Sequence, residues 1–222
     1  MSESLPWLDR LAHDLRGPLM PMQTASYLLR RGELDAERQQ ELFVLIERQT
    51  RRLARMIDEL SDWTQASRHG LLGARETCEL VLLLDNAIGA ATAAGKDLPT
   101  VADETGEARI DGDPTRLTQL LRILLEFGAR ARQARVSMRI AGDRVQIDVL
   151  DAQANATATE VATLLEQPMA EPFDEGLGLT LLIARAIAEA HGGTLLAEAV
   201  ADGGLRLRCE LPLATVDQPQ DR

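Results

Sequence analysis

The chain has 222 residues, 45% apolar and 27% charged, enough for one large or two small domains with a real core. A net charge of −11 argues against nucleic acid or an anionic membrane as partner. No apolar run approaches the roughly 18–20 residues of a membrane span, and the opening MSESLPW lacks the features of a signal peptide, so a cytoplasmic protein is expected.

Residues 4–69 read as helix almost throughout. Leu8, Ala12, Leu15, Leu19, Met22, Ser26 and Leu29 alternate steps of four and three, a heptad-like stripe. RGELDAER interrupts it, with Gly32 as C-cap and Asp35 as N-cap. The stripe resumes through Leu42, Ile46, Gln49, Leu53, Met56, Leu60 and Trp63. Two long helices joined by a short loop make an antiparallel hairpin. One such hairpin cannot bury its own stripe, whereas two copies forming a four-helix bundle can, so a homodimer is expected.

Past the hinge-like RHGLLGARETCEL the pattern changes. LVLLLDNAIGAATAAGK reads as a helix, and LPTVAD and ARIDGD read as short strands. PTRLTQLLRILLEFGARARQ is a strong helix with Asp113 as N-cap and Pro114 at its first position. RVSMRIAG and RVQIDVLD alternate with period two around a turn at Gly142-Asp143. GLGLTLLIARAIAEAHGG is a further helix, and TLLAEAVADGGLRLRCELPL a final hairpin turning at Asp202-Gly203-Gly204. Residues 76–214 therefore read as an α+β sandwich with helices on one face of a sheet. TVDQPQDR, residues 215–222, reads as a disordered tail. Cys78 and Cys209 lie inside apolar segments without zinc spacing and read as free buried thiols, and no metal site is expected.

The chemistry concentrates in LAHDLRGPLM, residues 11–20. With Leu8 at heptad position a, His13 falls about 120° round the helix from the stripe and should face solvent. Asp14 supplies a carboxylate that fixes the imidazole tautomer and leaves the other nitrogen as a nucleophile. Spacing alone does not establish that contact, because adjacent helical residues do not face one another. Arg16 offers a cation for a phosphoryl group. Pro18 removes the backbone bond to Asp14 and should bend the helix one turn beyond the histidine, at a cost of roughly 3 kcal/mol for an interior proline.

LAHDLRGPL resembles the phosphoacceptor box of sensor histidine kinases, H-[DE]-L-R-x-P-L, and the resemblance extends over nearly the whole chain. DPTRLTQLLRILLEFGARA lies at the family's N-box helix, VLDAQAN at its first glycine box, EPFD at its F-box, and GLGLTLLIARAIAEAHGGTLLAE at its second glycine box. By that resemblance residues 1–70 are the dimerisation and histidine-phosphotransfer domain, with His13 the phosphoacceptor beside Asp14, Arg16 and Pro18. Residues 76–214 are an ATP-binding domain of Bergerat type. Asp151, Gly176 and Gly178 are what remains of its nucleotide site.

The second domain departs from the family pattern. The two N-box asparagines, the second of which holds Mg²⁺, are replaced by Ile123 and Phe127, which cannot ligate a cation that demands oxygen. Glu126 is about 100° off that face. Asp151-Ala152-Gln153-Ala154-Asn155 stands for D-x-G-x-G, so both glycines are gone. EPFDEGLGL leaves no room for a phosphate lid, and Gly17 replaces the residue that orients water for dephosphorylation of a regulator. GLGL before a helix also reads as a close-packed helix start.

The expectation is a degenerate kinase scaffold acting as a phosphorelay protein. His13 would exchange a phosphoryl group with receiver-domain aspartates of response regulators, or accept one from an upstream hybrid kinase, without ATP and with Mg²⁺ supplied by the receiver. No sensor domain is expected ahead of residue 4. The alternatives are an ATP-dependent sensor histidine kinase with a divergent nucleotide site, and a non-catalytic pseudokinase that regulates other kinases.

Overall fold

The computed structural model describes residues 6–68, 70–131, 134–200 and 203–214, with side chains from residue 11 onward. The expected tail at 215–222 and Asp202 of the last turn lie outside the described residues. The chain divides into two compact units, residues 1–63 with 168–179, and residues 64–167 with 180–222.

The first unit is built on α1 (Pro6–Arg16), α2 (Leu19–Arg31) and α3 (Ala36–Ser67), most of which belongs to it. One bent helix was expected across Pro18, but the chain makes two. Pro18 has no N–H to offer the Asp14 carbonyl. The Gly17 N–H bonds instead to the carbonyls of His13 at 3.1 Å and Asp14 at 3.3 Å, which closes α1. Pro18, buried and at φ −65°, then starts α2. The turn between α2 and α3 follows the expected chemistry: Gly32 is left-handed at φ 71°, and the Asp35 carboxylate accepts the Arg38 N–H at 2.8 Å. Along the apolar seam Ala25, Gln49 and Met56 are buried, whereas Leu15, Met22, Leu42, Ile46 and Leu53 are only partly covered and Leu19 is exposed.

In the second unit, strands β2 (Val101–Glu104), β4 (Arg135–Ala141), β5 (Arg144–Asp151), β6 (Thr194–Val200) and β7 (Gly204–Pro212) form a sheet of order β2-β4-β5-β7-β6. The β2–β4 pair is parallel and the others are antiparallel. A separate antiparallel pair joins β1 (Glu76–Glu79) to β3 (Arg109–Gly112). Alternation along the strands sets the two faces of the sheet. Val145, Ile147 and Val149 of β5, with Leu205, Leu207, Cys209 and Leu211 of β7, are buried. Asp148, paired with Arg208 at 3.0 Å, belongs to the alternate, polar set. Helices α4 (Leu80–Ala93), α5 (Pro114–Ala129) and α7 (Thr180–Ala190) supply the facing layer, α5 packing on β5 and α7 on β6. In α4 the buried Leu80, Leu83, Leu84, Ala87 and Ala91 keep one helical face.

Asp113 caps α5 as expected, accepting the N–H groups of Thr115 at 2.9 Å and Arg116 at 3.2 Å, with Pro114 in the first turn. Both cysteines are free and buried. A short helix, α6 (Ala158–Thr163), was not anticipated, although T-A-T-E is a capping-box sequence: Thr157 and Glu160 satisfy each other's backbone N–H groups. No helix among the described residues is long and apolar enough to cross a membrane.

Candidate functional site

His13 lies in the last turn of α1 with its side chain 89% exposed, as the stripe phase requires. Its Nδ1 stands 3.4 Å from the Asp14 carboxylate, so the two neighbours do meet although they share no helix face. The contact is long for a hydrogen bond, yet it engages one ring nitrogen and leaves Nε2 open to solvent. Arg16 is exposed and three residues on, on the same side of the helix as His13. The buried Pro18 ends the group. These four residues are brought together at the α1–α2 junction.

Gly176 and Gly178 also belong to the first unit. Gly178 has φ 80°, and a methyl group there would collide with the backbone of Met169, whose N–H donates to the Gly178 carbonyl at 3.0 Å. This glycine is demanded by chain crossing. Gly176 is demanded by something the sequence reading missed. A methyl group on it would occupy the position of the Glu59 carboxylate. Glu59 projects from α3 and is 7% exposed. Its oxygens accept the Leu177 N–H, each at 3.1 Å, and Oε2 also accepts the Leu179 N–H at 3.0 Å. Arg52 and Arg55 reinforce the attachment, donating to the Glu175 carbonyl at 3.0 Å and its carboxylate at 3.3 Å. Burial, helped by the charge of Asp174, raises the Glu59 carboxyl to about 7 against the pull of the two N–H groups and Arg55. The available signal was an acidic residue next to Leu60 and three residues past Met56, inside the apolar seam.

Asp151 ends β5 in the second unit, its Oδ1 accepting the Gln153 N–H at 3.0 Å. Asn155, at the second glycine position, is left-handed at φ 49°, a conformation asparagine tolerates better than most residues. Ile123 and Phe127 are each 3% exposed and part of the core. Glu126 pairs with Arg122 at 3.2 Å. Among the described residues no group of three or more His, Cys, Asp or Glu could hold a metal ion. Arg130, also missed, stacks over the Phe127 ring at 4.0 Å. Burial lowers its pKa and the nearby charge of Asp151 opposes that. His191 is buried and structural: its Nε2 accepts the Asp113 N–H at 3.0 Å, and its Nδ1 meets the Ile187 carbonyl at 2.8 Å.

Comparison with known proteins finds two matching families. Residues 7–68 match the His Kinase A (phospho-acceptor) domain, and residues 112–215 match the family of histidine kinase-, DNA gyrase B-, and HSP90-like ATPases. The Sensor protein ChvG of Agrobacterium fabrum is 28% identical, over 92% of this chain and 38% of its own length. Sensor histidine kinase ZraS of Klebsiella oxytoca is 28% identical, over 91% of this chain and 45% of its own. The chain thus spans less than half the length of these relatives. In fold it resembles the Acinetobacter baumannii histidine kinase AdeS, with a TM-score of 0.67 and 16% identity over 91% of this chain and 98% of that one. It also resembles full-length ShkA in complex with AMPPNP, at 0.61 and 22%, over 95% of this chain and 47% of that one. A phosphoacceptor helix followed by a layered α/β domain, each matching its own family, makes this chain a member of the two-component histidine kinases, of which it holds the core.

Proposed function

We propose that this chain is the catalytic core of a sensor histidine kinase, in which His13 takes a phosphoryl group from ATP and passes it to an aspartate of a receiver domain. The observation that carries the proposal is the exposed His13 ring, with Nδ1 against Asp14, on a helix of the phospho-acceptor family. The kinase names of the relatives favour this reading over the ATP-independent phosphotransferase expected from the sequence.

Asp14 accepts the Nδ1 proton and so keeps the imidazole in the tautomer whose Nε2 lone pair is free. As the Nε2–phosphorus bond forms and the bond to the leaving oxygen breaks, the ring gains positive charge, which the Asp14 carboxylate offsets. Arg16, one turn along, faces the incoming phosphoryl oxygens. Bound ATP supplies that phosphoryl group. Asp151, the left-handed Asn155 and the cationic Arg130 fit a purine base and its anionic chain. The buried Ile123 and Phe127 do not fit a magnesium ion, and no step is assigned to one.

That misfit favours a second reading, in which His13 is charged from a phosphorylated receiver that brings its own Mg²⁺. Either reading uses a homodimer: the half-covered seam of α2 and α3 supports a second copy completing the bundle. Response-regulator receivers are the partners. The chain is expected to work in the cytoplasm.

Incubation with ATP labelled on its terminal phosphate tests the first reading. Acid-labile label on the unaltered protein and none on His13→Gln is the expected result. No label from ATP, with label acquired from a phosphorylated receiver, would replace the first reading by the second.

A further inference from the structure

The backbone N–H groups of Leu177 and Leu179 lie just ahead of α7 and converge on one carboxylate, that of Glu59. Converging N–H groups next to a helix start are a cradle for an anion. Here the anion is a side chain of the protein itself, delivered from α3 across 118 residues of sequence. The fit is specific. Gly176 has no side chain where the carboxylate sits, so the approach depends on that glycine. The Asp174 carboxylate turns back to accept the Gly176 N–H at 3.0 Å, and Arg55 and Arg52 hold Glu175 beside it. Every backbone donor from Gly176 to Leu179 with a bond in the described structure is thereby turned to a carboxylate of this chain.

We propose that Glu59 is a built-in competitor for phosphate: its carboxylate fills the cradle of Leu177 and Leu179, and the phosphate chain of a nucleotide takes those N–H groups only when Glu59 withdraws. The idea rests on reading residues 176–179 as the second glycine box of a nucleotide-binding domain. It turns that box from a relic into a gated site. The nucleotide affinity of the resting protein is then the intrinsic affinity reduced by the fraction of molecules in which the latch is open. A latch closed in about nine molecules of ten weakens apparent binding about tenfold.

The probe is ADP, titrated calorimetrically into the unaltered protein, Glu59→Gln and Glu59→Ala at one fixed pH, with amide exchange at Leu177 and Leu179 followed in the same samples. Glu59→Gln keeps the size of the side chain and one acceptor oxygen but loses the charge, whereas Glu59→Ala removes both acceptors, so the latch is weakened in the first and absent in the second. Glu59→Ala is expected to bind ADP about tenfold more tightly and to lose exchange protection at the two amides, and Glu59→Gln to fall between it and the unaltered protein. Unchanged ADP affinity with the amides released overturns the proposal, as does retained protection in both variants or ADP binding by none of the three proteins. Labelling of His13 from ATP is read separately. If no protein is labelled while the variants still bind ADP more tightly, the kinase reading falls and the latch stands.

Discussion

Glu59 carries a charge that its surroundings resist. Its carboxyl is pushed up to about 7 in the folded protein, against an ordinary value of 4.5. The folded state therefore binds a proton more readily than the unfolded chain does. Stability from this group is complete below about 4.5 and is lost as pH rises through about 7. The facing charges are Asp174, which adds to the effect, and Arg55, which opposes it. Both tryptophans, Trp7 and Trp63, fall within residues 1–63, so intrinsic fluorescence reports on the first unit. The fluorescence-monitored urea midpoint should fall between pH 5 and pH 8, and Glu59→Gln should flatten that slope. An equal slope in both proteins would mean that another group is responsible. His13, the proposed phosphoacceptor, shows the reverse of burial: α1 leaves its ring in solvent beside the Asp14 carboxylate.

At the scale of elements, the parts with the strongest local chemistry were the most legible. The α5 start could be read from Asp113-Pro114, because a capping carboxylate and a proline without a donor both suit a helix N-terminus. Asp113 also accepts the Gly73 N–H at 2.7 Å. Burial raises its pKa, but the three N–H groups and Arg116 together hold it below the ordinary value. Asp113→Ala should cost about 1–2 kcal/mol in denaturant unfolding followed by circular dichroism, with earlier amide exchange in the first turn of α5. A loss confined to a few tenths would show that the cap is dispensable. The hairpin at Gly142 was legible from period-two alternation and a turn glycine with φ 66°. The break at Gly17-Pro18 was only half legible. Sequence locates the missing donor, but whether a helix bends or divides depends on where the preceding carbonyls find replacement bonds. The Glu59 latch was not legible. Its partners are main-chain N–H groups more than a hundred residues away, and no side-chain pattern advertises them. Asn155 hid for a related reason: its left-handed conformation is a property of the backbone, which the residue type alone does not advertise.

Across the whole molecule, Glu59 in one unit and His191 in the other answer acid in opposite senses. Burial lowers the pKa of His191 from its ordinary value of 6.5, with Arg75 adding to the effect, while the Ile187 carbonyl and Asp113 oppose it. Stability from His191 is therefore present above about 6.5 and lost as pH falls through the lowered value. Acidification from neutral pH should tighten the first unit, by tryptophan fluorescence, and loosen the second, by amide exchange in α5 and α7. Parallel responses would contradict the assignment of these two groups. Neither unit is a continuous stretch of chain: the first takes residues 1–63 and then waits for 168–179. A growing chain emerges N-terminus first and folds largely in that order. Here the first unit cannot close over Glu59 until residues 168–179 have been made. Until then the nascent chain exposes a carboxylate and an apolar seam together, and the unit begun earlier of the two is finished only after residues 64–167 have followed it out.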